Sequence, residues 1–245
     1  MKPESSILPY ELSGLPPGPW LVLAPHADDE TFGMGGTLLL ARAAGIATQL
    51  LVMTDGAQGG KSADLVNVRQ QEVQVAAGML GIQGVQFFGE PDRCLQVNDT
   101  LVTRLVELIR ASNAATVFLP GLYEPHPDHR ATALLAWSAL NRLDAGQRPR
   151  AVAYEISVQN PVNRLVDITE VMAEKRRVME IYLSQIGVNN YIQLVEAMNK
   201  LRTFTLPRRV EYAEGFYHFA PHELATPLVQ LLQARIEDMA SHQNG

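Results

Sequence analysis

Residues 20–30 read WLVLAPHADDE. A short, unbroken apolar run (20–24) stops at Pro25, and one histidine and three carboxylates follow within five residues. A continuous apolar run closed by a breaker reads as a strand buried on both faces, the kind found in parallel sheets. The same order returns at 115–129, ATVFLPGLYEPHPDH, where an apolar run breaks and His126, Asp128 and His129 follow.

The chain between these stretches alternates between two periods. TLLLARAAG (37–45) has helical spacing and ends at Gly45, a C′ residue. TQLLVMT (48–54) is a second buried strand, and SADLVNVRQQEVQVAAGML (62–80) a helix capped by Ser62 or Asp64 and closed by Gly81. VQFF (85–88) is a third strand. In DTLVTRLVELIRAS (99–112), Leu101, Val102, Leu105, Leu108 and Ile109 line one helical face. ATVFLP (115–120) is a fourth strand, HRATALLAWSALNRL (129–143) a helix and AVAYEIS (151–157) a fifth strand.

Strands alternating with helices predict an α/β fold with a mostly parallel sheet and helices on both faces. Ligands in such sheets bind beyond the carboxyl ends of the strands. The loops after residues 24, 54, 88 and 120 are therefore where chemistry belongs. Beyond about residue 160 the chain reads as more helical and less regular. Residues 1–19, rich in Pro and Gly, read as an N-terminal arm, and 20–245 as a single domain.

Composition narrows the function classes. The 245 residues are 47% apolar and 19% charged, the profile of a globular chain. No stretch approaches the roughly 20 apolar residues of a membrane span. The N-terminus lacks the apolar core of a secretory signal, and Cys94, the one cysteine, allows no internal disulfide. Both point to the cytoplasm. A net charge of −6 without a Lys/Arg block argues against nucleic-acid binding.

Two imidazoles and one carboxylate, with a fourth position open to water, make a common catalytic zinc set. His26, Asp29 and His129 supply it, and Asp28 is the further carboxylate that a hydrolytic site needs as base. A lone His–Asp pair at a helix start is more often a cap, and the run Asp28-Asp29-Glu30 would also suit a helix N-terminus. Two such clusters at the ends of two parallel strands favour the metal. So does the cost of three carboxylates behind a buried strand with no positive charge beside them.

A-P-H-A-D-D-E (24–30) together with E-P-H-P-D-H (124–129), which places His126 97 residues after Asp29, resembles the LmbE/PIG-L family of zinc-dependent N-deacetylases. The resemblance spans roughly residues 20–220. Weaker likenesses are Thr54-Asp55-Gly56, Arg69 with Glu72, Ser184-Gln185 and Ala213-Glu214-Gly215-Phe216. One departure is Ala27, where the family usually has proline.

The resemblance implies a Rossmann-like sheet and removal of an N-acetyl or other N-acyl group from an amino sugar such as N-acetylglucosamine, or from a glycoconjugate. It implies Zn2+ on His26, Asp29 and His129, with Fe2+ or Co2+ as chemically acceptable substitutes. Asp28 would be the general base, His126 the oxyanion partner, and Asp128 the residue that orients His126. Arg69 would touch the substrate, unless it merely pairs with Glu72 on its helix. Asp55, Gly56, Asp92 and Arg93 follow strands and are candidates to line the pocket; His218 is a candidate to reach it. The partner is a small molecule, and a homo-oligomer is compatible with the family.

Other readings fare worse. The loop DGAQGGKS (55–62) fits a phosphate-binding P-loop at Gly60, Lys61 and Ser62, but Asp55 stands at its first position and Gly56 is out of register. Gly33, Gly35 and Gly36 lack the third glycine of a dinucleotide fingerprint, Leu38 standing there. No G-x-S-x-G is present. A non-catalytic sugar-binding relative would be expected to have lost Asp28 or His126.

Overall fold

The computed structural model describes residues 12–60 and 64–241. Lys61, Ser62 and His242 lie outside the described residues, as does the arm before Leu12. The elements run β1 (Trp20–Ala24), α1 (Asp29–Ala43), β2 (Thr48–Thr54), α2 (Leu65–Leu80), β3 (Gly84–Glu90), α3 (Asp99–Ser112), β4 (Thr116–Pro120), α4 (Pro127–Asn141) and β5 (Arg150–Tyr154). Then come β6 (Arg164–Asp167), α5 (Met172–Met179), α6 (Leu183–Ile186), α7 (Tyr191–Leu201), β7 (Ala213–His218) and α8 (Leu228–Ser241). No described helix is long and apolar enough to cross a membrane.

One seven-stranded sheet organises the chain, in the order β3-β2-β1-β4-β5-β7-β6. β1 to β5 pair in parallel, as the alternation predicts. β7 runs antiparallel to both β5 and β6. Strand alternation sorts the core into two layers. Trp20, Val22 and Ala24 pack with α1, α2 and α5, whereas Leu21 and Leu23 pack with α3 and α4. Before β1, Ser13 donates its N–H to the Leu165 carbonyl at 2.8 Å, so residues 12 and 13 lie along β6.

Two corrections follow. First, α1 begins at Asp29, far ahead of the apolar spacing at 37–45. Its first turns carry carboxylates and glycines, which hide a helical period. Gly33 is required there because a Cβ would stand 2.3 Å from the Glu155 carbonyl oxygen. Second, the region after residue 160 carries α5 to α8, as its more helical reading expects, but also two strands that the reading did not place. Both lie toward the end of the sheet and are interrupted by polar residues (Arg164 and Asp167 in β6, Glu214 and His218 in β7), so neither presents a long apolar run.

A buried ion pair fastens these late elements to α1. The helix breaks at Met34 (φ −140°, ψ 22°). Just past the break, Gly36 and Thr37 donate their N–H groups to the Glu214 carboxylate at 2.8 and 2.7 Å. Lys175 of α5 completes the cluster, donating from Nζ to Glu214 at 2.8 Å, Asn199 Oδ1 at 2.9 Å and the Phe32 carbonyl at 3.0 Å. Lys175 and Glu214 are both fully buried. Burial pulls the Lys175 ammonium pKa down while the Glu214 charge opposes it. Lys175→Met is expected to cost about 3–5 kcal/mol, since it leaves a buried carboxylate uncompensated. Denaturant unfolding measures the loss, and adding Glu214→Gln should recover part of it.

Candidate metal centre

Each cluster of the sequence sits where a parallel strand ends. β1 delivers the chain to Pro25, whose carbonyl accepts the N–H and Oγ1–H of Thr54 at 3.0 and 2.9 Å. That anchor sets the loop carrying His26, Asp28 and Asp29. Asp28 adopts φ 135°, a region that non-glycine residues seldom enter. Such strain persists only where its surroundings over-determine it. Here the Asp28 carbonyl caps α1 by accepting the N–H groups of Thr31 and Phe32, both at 2.9 Å. Its own N–H reaches Glu30 Oε2 at 3.3 Å. β4 delivers the other cluster, with His126 as N-cap and Pro127 in the first turn of α4.

The two loops meet. Asp29 Oδ2 lies 3.1 Å from His26 Nδ1 and 3.3 Å from His129 Nε2. Ligand atoms about 2.05 Å from a tetrahedral zinc stand about 3.3 Å from one another. Each of these two separations has the length expected between neighbouring ligands of one ion.

The outer nitrogens complete the fit. His26 Nε2 faces Asp128 Oδ2 at 3.1 Å, and His129 Nδ1 faces Glu124 Oε2 at 3.3 Å. A carboxylate on the outer N–H fixes the tautomer and leaves the inner nitrogen free to ligate. Glu124 is itself immobilised by the N–H groups of Ile156 and Ser157 at 2.9 and 3.0 Å and by Asn160 Nδ2 at 3.1 Å.

Among the described residues, two groups bring ligand atoms that all lie within 4.8 Å of one another: His26, His126 and His129, and His26, Asp92, His126 and Asp128. In the second group the Asp128 oxygens accept the N–H groups of Arg93 and Leu95 at 2.7 and 3.2 Å, just as Asp29 Oδ2 accepts that of His26 at 2.9 Å.

Electrostatics separate two adjacent carboxylates. Burial pushes Asp28 up to about 7, with Asp29 and Glu30 adding to the rise and Arg69 and His26 opposing it. Burial acts on Asp29 in the same direction, but His129 and His26 outweigh it and hold that carboxyl well below the usual range. Burial lowers His129, yet the Asp29 charge and the bonds to Asp29 and Glu124 raise it to about 9. His26 rises likewise, its bonds to Asp128, Asp29 and Asp92 overcoming burial. His126 is pushed down by burial and by the neighbouring His26 and His129.

The remaining candidates sort themselves by position. Asp128 does not contact the His126 ring as expected. Its carboxylate stays 4.0 Å from His126 Nδ1 and turns to His26, while its backbone N–H donates to that same Nδ1 at 3.2 Å. Arg69 does not pair with Glu72, which takes Ser184 instead. Arg69 is buried in the pocket wall and donates to Asp28 Oδ2 at 3.3 Å and to the carbonyls of Ala27 and Gly56, both at 3.1 Å. Asp55 stands outside the pocket lining; its Oδ1 accepts the N–H groups of Ala57 and Asp92 at 3.0 and 3.1 Å. Asp55 is thus loop structure, because its side chain is consumed in shaping the turns that present Asp92.

Asp92 and Arg93 do line the pocket. Asp92 Oδ1 lies 3.3 Å from His26 Nε2, and bonding to that ring and to Gln58 outweighs burial to hold its carboxyl at about 2. His218 lies toward the amino end of β5, outside this pocket. Burial and the charges of Arg164 and Arg150 lower it to about 4. Sequence reasoning missed Glu124 and the apolar wall formed by Phe32, Ile156, Tyr191, Leu194, Val195 and Met198. Glu124 stands immediately before the Pro-His-Pro-Asp-His run. A glutamate in a strand-end loop carries no sign of burial, so no role was assigned to it although it opens the E-P-H-P-D-H run.

The whole is a cleft of about 300 Å³ at the carboxyl end of the sheet. The profile of the family described as PIG-L, GlcNAc-PI de-N-acetylase, matches residues 21–140. Diacetylchitobiose deacetylase of Thermococcus kodakarensis is 30% identical over 184 residues, covering 67% of this chain and 69% of that protein. A Bacillus subtilis protein described as probable N-acetyl-alpha-D-glucosaminyl L-malate deacetylase 2 is 27% identical over 183 residues, covering 67% and 82%. The structure of N,N'-diacetylchitobiose deacetylase from Pyrococcus horikoshii matches with a TM-score of 0.72 at 26% identity, over 82% of this chain and 84% of that one. Strand-end motifs, sheet and relatives agree: the chain belongs to the PIG-L family.

Proposed function

We propose that the chain, acting as one domain over residues 20–245, is a zinc-dependent hydrolase that removes the acyl group from the nitrogen of an amino sugar or glycoconjugate. The observation that carries this reading is the Asp29 oxygen shared between His26 Nδ1 and His129 Nε2, with a carboxylate behind each ring. A divalent ion bound there supplies Lewis acidity toward an amide carbonyl and lowers the pKa of water toward about 7.

The protein's own groups do the rest. Asp28, beside the triangle and outside it, accepts the proton of the attacking water. Arg69 holds the Asp28 carboxylate toward the cleft. His126 caps α4 with its ring at the pocket wall, where an N–H can meet the oxygen that gains charge. The repulsion that lowers His126 comes from His26 and His129 in their charged forms; as neutral ligands they would exert none. The C–N bond breaks, the acyl group leaves as a carboxylate and the amine is freed.

Purified, untagged protein is expected to carry about one ion per chain, a single-site stoichiometry, and to release amine from N-acetylated amino sugars in a chelator-sensitive way. Elemental analysis and an amine assay on the same sample test this. Metal without release from any amide would exclude the hydrolase, and failure to take up zinc on reconstitution would exclude the centre. His126→Ala is expected to keep its metal and lower kcat by about 10²-fold, the scale of one oxyanion donor. Loss of metal in that variant would make His126 a ligand.

A further inference from the structure

The cleft has two unlike flanks, and strand order separates them. The central strands β1 and β4 supply the histidines and Asp28 and Asp29. On the β2–β3 side the lining is polar: Gly59, Arg69, Asp92 and Arg93. On the other side, from the loop after β5 and from α7, it is mainly apolar: Ile156, Tyr191, Leu194, Val195 and Met198, with Ser157 the polar residue beside Ile156 and Phe32 stacked on Tyr191 at 5.7 Å.

An amide is also two-sided. A sugar bearing hydroxyls matches the flank of charges, which leaves the acyl group to the mainly aliphatic and aromatic flank. The apolar flank is far longer than an acetyl group. Tyr191, Leu194, Met198 and Leu201 fall on one face of α7, as residues three and four apart do. At 1.5 Å rise per residue that stripe runs about 15 Å. It starts inside the cleft and ends in solvent: Leu194 is 62% exposed and Leu201 57%. Exposed leucines contiguous with a buried pocket wall mark a surface that a ligand covers.

We propose that the substrate carries an unbranched acyl chain longer than acetyl, of hexanoyl to octanoyl length, lying along α7. This rests on the hydrolase reading and names its substrate class. Water adds to the acyl carbon, the C–N bond breaks, its nitrogen takes a proton, and a fatty carboxylate and a free amino sugar leave.

The test is a chain-length series on zinc-loaded wild-type protein: glucosamine N-acylated with acetyl, butanoyl, hexanoyl or octanoyl, together with the octyl glycoside of N-acetylglucosamine. The expected kcat/KM rises about fourfold per added methylene, the transfer value of a buried CH2, and the octyl glycoside gains nothing. In Leu194→Asp the octanoyl-to-acetyl ratio should fall about tenfold; the side chain is half exposed, so the fold tolerates the change. A flat or falling series with acetyl still cleaved overturns the proposal and leaves the hydrolase standing. A gain with the octyl glycoside in place of the N-octanoyl compound overturns it too. No amine from any member overturns both readings.

Discussion

Asp28→Asn is expected to reduce kcat by about 10³-fold while metal content stays at the wild-type level. The magnitude is that of removing a positioned proton acceptor, typically about 10²–10⁴-fold. Asparagine is isosteric and among the residues most tolerant of positive φ, so the backbone at φ 135° should survive the change. Its side-chain oxygen can still accept from Arg69 Nη2. What it cannot do is take a proton. The metal should stay, because the close ligand separations join Asp29, and not Asp28, to His26 and His129. Single-turnover amine release and elemental analysis of the same preparation decide the matter. Loss of both metal and activity would place Asp28 among the ligands, and full activity would require another base.

The difference between these neighbouring aspartates was readable from the sequence only in part. That carboxylates and imidazoles crowd the ends of two parallel strands follows from WLVLAP and ATVFLP alone, since sheet topology places those loops side by side. Which oxygen meets which nitrogen does not follow. Asp128 illustrates the point: the family resemblance implied His126, but α4 begins between them and turns the carboxylate toward His26 and the backbone of Arg93 and Leu95. The burial of residues placed by long-range packing was equally silent. Glu214 is buried because a helix break well over a hundred residues earlier frees N–H groups for it. The apolar stripe of α7 has ordinary helical spacing, and such a stripe usually faces a core. Only the fold reveals that its outer end meets solvent.

His129→Ala should abolish both metal binding and turnover, which separates it from Asp28→Asn. In the proposed centre the imidazole contributes one of three ligand atoms, and its loss leaves His26 and Asp29 as the two proposed ligands. Forfeiting the ion costs several kcal/mol of transition-state stabilisation, at least about 10³-fold in rate at 1.36 kcal/mol per decade. Stability provides an independent readout. An ion that binds only the folded chain stabilises it by about 2.7 kcal/mol at a hundredfold excess over Kd, so added zinc should raise the wild-type Tm and leave that of His129→Ala unmoved. Glu124→Gln should fall between the two, with metal affinity weakened about 10–100-fold, because the group that fixes the His129 ring is altered while the ligand remains. The competing arrangement predicts the reverse order. An ion held by His26, Asp92, His126 and Asp128 would survive His129→Ala and be lost in Asp92→Asn. Equilibrium zinc titration of these three variants and of His126→Ala, which would lose an ion held by His26, His126 and His129, therefore assigns the centre without reference to any substrate.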